Sequence, residues 1–142
     1  MPTRTRDKWY TFNGWWTTAA AGTQLTTATK ITSNTTYYAH WTANPTWTVK
    51  FVLNCAGAQF DDNDTTDPEY PDGRSRKVLQ SERTLDDAPN AYDEDNDFLG
   101  WTLTRGGDDF IVTKKRAENI TEEDEAVPAT IFSGNTTVYG KW

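Results

Sequence analysis

The sequence predicts a β-rich α+β fold, a small sheet with one short helix, preceded by a partial β repeat. Three observations predict it. A phrase occurs twice, Phe12-Asn13-Gly14-Trp15 closing with Tyr38-Ala39-His40-Trp41 and Phe98-Leu99-Gly100-Trp101 closing with Tyr139-Gly140-Lys141-Trp142. The run Trp47-Thr48-Val49-Lys50-Phe51-Val52-Leu53 alternates with the strand period, which puts Trp47, Val49, Phe51 and Leu53 on one face. Thr121-Glu122-Glu123-Asp124 fits a helix-capping box loosely, with Asp in place of Glu, and sets a short helix between Asp108 and Val127.

Taken in order, Trp9 to Trp16 is aromatic and strand-forming, and the small residues of Thr17 to Thr23 turn the chain. Leu25 to Ile31 alternates weakly and predicts a second strand. Asn34-Thr35-Thr36 turns into a third, Tyr37 to Trp41. These elements make residues 1–42 a partial repeat, residues 43–46 a linker punctuated by Asn44 and Pro45, and residues 47–142 a complete repeat. Within the latter, Asp61 to Gly73 carries six acids broken by prolines and reads as an exposed loop. Lys77-Val78-Leu79-Gln80 predicts a strand, and Thr84 to Ala88 a single helical turn ended by Pro89. The second copy of the phrase is the longer one, and the extra length is assigned to Asp108–Ala129. The first copy lacks the opening strand that Trp47–Leu53 supplies to the second, so an unpaired sheet edge is expected there.

With 142 residues, 35% hydrophobic and 13% aromatic, the chain holds one ordinary domain or two small ones, whose cores rest on aromatic area. A net charge of −7 disfavours nucleic acid and anionic bilayers as partners. One cysteine, Cys55, excludes an intrachain disulfide and cannot build a thiolate zinc site. No apolar run approaches the roughly 18 residues of a membrane-spanning helix, and Met1-Pro2-Thr3-Arg4 lacks an apolar signal core. The opening in mid-repeat leads us to expect a piece of a longer protein.

Pro2-x-Arg4 with Tyr10-Thr11-Phe12-x-Gly14-Trp15 and Tyr38-Ala39-His40-Trp41 resembles the Listeria–Bacteroides repeat, the internalin B-repeat. Thr48-Val49-Lys50-Phe51 with Asn54, Phe98-x-Gly100-Trp101 and Val138-Tyr139-Gly140-Lys141-Trp142 resemble it again. The chain departs at Cys55-Ala56-Gly57, where the family has a Gly-Gly pair, and in its long acidic loop. The resemblance implies β-grasp-related modules, in which a small mixed sheet packs on a short helix, strung along secreted or wall-anchored bacterial proteins. It implies an extracellular, noncatalytic surface module that adheres to a host glycan, mucin or matrix protein and neighbours further repeats of its chain. A passive stalk or a carbohydrate-binding module is the alternative.

The recurring Trp15, Trp41, Trp101 and Trp142 read as core, since period-two strands gather them on one face that must be buried. Trp9 and Trp16, without aromatic counterparts in the second copy, are the candidates for exposed binding contacts. Arg74, Arg76 and Lys77, with Arg83 nearby, are candidates for an anionic polymer such as a sulfated glycan or teichoic acid, and Lys114-Lys115-Arg116 forms a second basic run. Asp93-x-Asp95-x-Asp97 has the spacing that opens a calcium loop but lacks its Gly and closing Glu, so no metal or other cofactor is expected. His40 reads as an outward polar residue. No nucleophile–base pair stands out, and no enzyme is expected.

Overall fold

Aromatic alternation becomes paired strand in both parts of the chain. The computed structural model describes residues 8–61, 74–114, 117 and 128–142. The chain divides into two compact units, Met1–Pro45 and Thr46–Trp142.

In the first unit β1 (Tyr10–Trp16) and β2 (Tyr38–Ala43) pair antiparallel, with Phe12 opposite Trp41, Gly14 opposite His40 and Trp15 opposite Ala39. The register slips between Phe12 and Gly14, and Gly14 takes φ +106° there, a conformation L side chains rarely adopt. Asn44 closes the open end by donating its N–H to Trp9 O at 2.7 Å and its amide to Lys8 O at 2.8 Å. The strand expected over Leu25–Ile31 does not form. Thr26 and Thr29 instead bond each other, Thr29 N–H to Thr26 O at 3.1 Å and Thr26 N–H to Thr29 Oγ1 at 2.9 Å, so threonine hydroxyls capture backbone that a ladder would need. β2 runs through Ala43 and the next strand begins at Thr46, leaving only Asn44 and Pro45 between them.

The second unit is built on a mixed four-stranded sheet in the order β5-β3-β8-β7, from β3 (Thr46–Val52), β5 (Ser75–Leu79), β7 (Gly100–Thr102) and β8 (Thr136–Lys141). β3 pairs antiparallel with β5 and parallel with β8, and β7 pairs antiparallel with β8. A separate ribbon joins β4 (Gln59–Phe60) to β6 (Ala91–Tyr92). The inner sheet face presents Val49, Phe51, Val78 and Val138, which form one core with Leu85, Trp101, Ile111 and Phe132. Thr84–Ala88, expected as a helical turn, is not helical: Thr84 bridges Ile131, Leu85 O accepts from Lys114 N–H at 2.8 Å, and the chain bends at Asp86. Burying Leu85 at 1% exposure overrides the weak local preference for a turn of helix. Helix among the described residues is confined to Lys114 and Ala117, where Ala117 N–H donates to Thr113 O at 3.0 Å. The Thr121–Asp124 capping box and most of the Asp61–Gly73 acidic loop lie outside the described residues.

The phrase that recurs in sequence pairs in one register in both units. Gly14, Trp15 and Trp16 face His40, Ala39 and Tyr38, as Gly100, Trp101 and Thr102 face Lys141, Gly140 and Tyr139. Phe12 tilts on Trp41 at 5.1 Å between ring centroids, and Phe98 tilts on Trp142 at 5.0 Å. The return segments match as well. Thr17 N–H reaches Thr23 O, and Leu25 N–H reaches Trp15 O; Leu103 N–H reaches Asp109 O, and Ile111 N–H reaches Trp101 O. Correspondence thus runs through Ile111, and the added length of the second copy follows Ile111 rather than beginning at Asp108.

In the Leu103–Asp109 turn the Thr104 hydroxyl donates to Asp109 Oδ2 at 2.7 Å and Thr104 N–H to Oδ1 at 3.1 Å. The hydroxyl bond above all holds the Asp109 carboxyl below its ordinary pKa. Since the folded value is the lowered one, the turn keeps this support at neutral pH and loses it as pH falls through the folded pKa. The Asp109 side-chain resonance is expected to titrate below the usual aspartate range and to return toward it in Thr104→Val. An unchanged midpoint in that variant would contradict the assignment.

Candidate functional site

Alternation that buries Val49 and Phe51 must turn Thr48 and Lys50 the other way. Cross-strand register then assembles an outer sheet face. Lys77 of β5 stands opposite Thr48, and Lys50 stands between Ser75 of β5 and Thr137 of β8. Val52 faces Tyr139, whose ring carries the Arg105 guanidinium at 4.8 Å. Thr48, Lys50, Lys77 and Thr137 are exposed, and Tyr139 is half-buried.

The cations on this face differ in how they are engaged. Lys141 bonds Asp108 at 2.7 Å and the carbonyl of Gly107 at 3.0 Å, and Arg105 donates to Asn54 Oδ1 at 2.8 Å. Among the described residues no carboxylate pairs with Lys50 or Lys77. A chain of net charge −7 therefore presents, among its described residues, two ammonium groups without a carboxylate partner beside threonine hydroxyls and an aromatic ring on the outer sheet face. Such a surface can accept sulfate or carboxylate groups by charge, sugar hydroxyls by hydrogen bonding and a pyranose face by stacking.

The candidate residues read from sequence are spread over the two units. Lys77 lies on this face. Arg74 is exposed just before β5, with its guanidinium 5.7 Å from the centre of the Phe60 ring. Arg76, expected in a solvated basic run, is 5% exposed: it stands opposite Val49 on the inner side and donates to Ser75 O at 3.2 Å. Trp9, expected exposed, is 7% exposed, held where its carbonyl accepts from Asn44, with the Lys8 ammonium 5.0 Å above its ring. Trp16 is half-buried and stacks on His40 at 4.8 Å and 7°, its indole Nε1 buried without a hydrogen-bond partner among the described residues. His40, expected as an outward polar residue, lies half-buried on the face of β2 opposite Trp41, and its Nε2 is 2.9 Å from Thr18 O.

No known protein family, curated protein or solved structure matches this chain. The site is therefore read from its own geometry. Thr48, Lys50, Arg105, Thr137 and Tyr139 are its members that sequence reasoning missed. Lys50 was legible as the complement of the apolar face of β3. Arg105 and Tyr139 required knowledge of which strand lies beside which.

Two further features are less suited to binding. A cavity of about 250 Å³ lies among Asp87–Asn90, Phe98–Trp101 and Phe110–Ile111, but the indole N–H of Trp101 at its wall is already given to Pro89 O at 2.8 Å. At the calcium-like spacing, Asp93 Oδ1 accepts from Asp95 N–H at 3.1 Å and from Asn96 Nδ2 at 2.7 Å, so the carboxylate closes its own turn. No group of three or more metal-ligating side chains occurs among the described residues.

Proposed function

We propose that the chain is a noncatalytic module of a bacterial cell-surface protein, of the kind the Listeria–Bacteroides repeat resemblance implies, and that it adheres to anionic glycans of a host surface or matrix. One observation carries the reading: among the described residues Lys50 and Lys77 have no carboxylate partner and stand beside Thr48, Thr137 and Tyr139 on the outer sheet face. A relation to the β-grasp is part of the same proposal. It is supported by the strand order second-first-fourth-third around a central parallel pair, β3 with β8.

The test is binding of the chain to an array of sulfated and carboxylated glycans, mucins and matrix proteins, with its monomer state checked by light scattering. Saturable binding to a sulfated glycan is expected, weakening as salt screens it. Lys50→Ala with Lys77→Ala is expected to cost about tenfold in affinity, a loss typical of two charge-assisted contacts at an exposed face. Both side chains are exposed, so folding is unaffected. A folded monomer that binds nothing would sink the adhesive reading and leave a spacer.

A further inference from the structure

The two units share a hairpin register but differ in what lies on its far edge. In the second unit β8 has β7 on one side and β3 on the other, running parallel with Val49 beside Thr136, Phe51 beside Val138 and Val52 beside Tyr139. Among the described residues of the first unit β2 has β1 alone. The residues matching Thr136–Tyr139 are Thr35, Thr36, Tyr37 and Tyr38, and none of them pairs with a second strand among the described residues.

Backbone direction follows from two bonds. Lys141 O accepts from Leu99 N–H on the β7 side, so strand alternation turns the N–H and C=O of Val138 and Gly140 toward β3, where Asn54 Nδ2 meets Gly140 O at 3.3 Å. Asn44 N–H likewise donates to Trp9 O on the β1 side, so Tyr37, Ala39 and Trp41 present their backbone groups to the open edge. Side chains that grip β3 also have counterparts. Asn135 Oδ1 accepts Thr48 N–H at 2.9 Å, and Asn34 stands in its place; Trp142 Nε1 donates to Leu53 O at 2.6 Å, and Trp41 stands in its place.

We propose that the outer edge of β2 is an acceptor for an extended segment of another polypeptide, which adds to it as a parallel strand in the manner of β3. The chemistry of the occupant is that of Thr46–Val52: apolar side chains at the places of Val49 and Phe51, polar ones between, and no proline within. One difference sets where the added strand stops. A Cβ on Gly140 would lie 2.4 Å from Leu53 O, and Ala39, which matches Gly140, carries that Cβ. The occupant therefore leaves the edge at the place of Val52. The β3 strand of a second copy is not the occupant, because β5 and β8 already pair with both of its edges. This acceptor edge is independent of the glycan-binding face.

The probe is a fluorescein-labelled peptide of the sequence Pro45–Leu53, titrated into the whole chain by anisotropy, with hydrogen exchange to locate it. Saturable 1:1 binding is expected, with new protection at the Tyr37 and Ala39 amides and none for a scrambled peptide. Tyr37→Pro removes one outward N–H and spares the β1 side; it is expected to weaken binding about tenfold. Ala39→Gly is expected to tighten binding, since the strand can then continue as it does over Gly140, and it serves should the proline variant fail to fold. Three results would overturn the proposal: absence of binding, protection confined to Ser75–Leu79 and Thr136–Lys141 by displacement of β3, or protection of Tyr37 and Ala39 that appears without peptide. The last, if it grows with protein concentration, would mean that β2 edges pair with each other.

Discussion

Trp101→Ala is expected to destabilise the Thr46–Trp142 unit by about 3–5 kcal/mol, the range for truncating a buried large aromatic side chain. Trp101 is 4% exposed and contacts three rings: Phe51 edge-on at 4.9 Å, Phe98 edge-on at 5.0 Å and Phe60 stacked at 5.8 Å. Truncation leaves a cavity bounded by rings that strands β3 and β4 and the segment before β7 hold in place, so collapse is limited. It also removes the indole N–H from Pro89 O. Trp101→Phe keeps much of the apolar contact but still orphans that carbonyl, so a loss of about 1–3 kcal/mol is expected. Urea unfolding followed by far-ultraviolet circular dichroism measures both. A loss below about 1 kcal/mol for the alanine variant would contradict the placement of Trp101 at the centre of the core.

Leu85→Ala carries the second large effect, about 2–5 kcal/mol. The side chain is 1% exposed, and its backbone is fixed on both flanks. Phe132 N–H donates to Arg83 O at 2.8 Å, Lys114 N–H donates to Leu85 O at 2.8 Å, and Thr84 bridges Ile131. A segment tied at three points cannot sink into the space a missing isobutyl group leaves. On an isolated helical turn facing solvent the same substitution would cost less than about 0.5 kcal/mol, so the measurement distinguishes the two conformations of Thr84–Ala88.

Much of the sheet was legible because strand periodicity is local. Val49 and Phe51 alternate with Thr48 and Lys50 in sequence and do so in burial. The recurrence of Phe-x-Gly-Trp marked two strands whose partners, Tyr38–Trp41 and Tyr139–Trp142, were also in view. What failed depended on competition that a single segment does not reveal. Leu25–Ile31 alternates, yet its threonines bond one another before any strand reaches them. Arg76 sits in a basic run and still turns inward, because register sets it opposite Val49 and the strand period overrules its charge. The outer sheet face was half visible: Lys77 by composition, Lys50 by alternation. Its assembly depended on the β3–β8 pairing, which links residues far apart in the chain and leaves no local mark.

That parallel pairing also decides how the second unit carries load. β3 is its first strand and β8 its last, and they lie side by side pointing the same way. Tension applied at Thr46 and Trp142 therefore pulls the two strands past each other along their length. Their hydrogen bonds must yield together, whereas an antiparallel pair pulled from adjacent ends opens one bond at a time. A unit tethered through these two strands resists extension more than one whose end strands pair antiparallel.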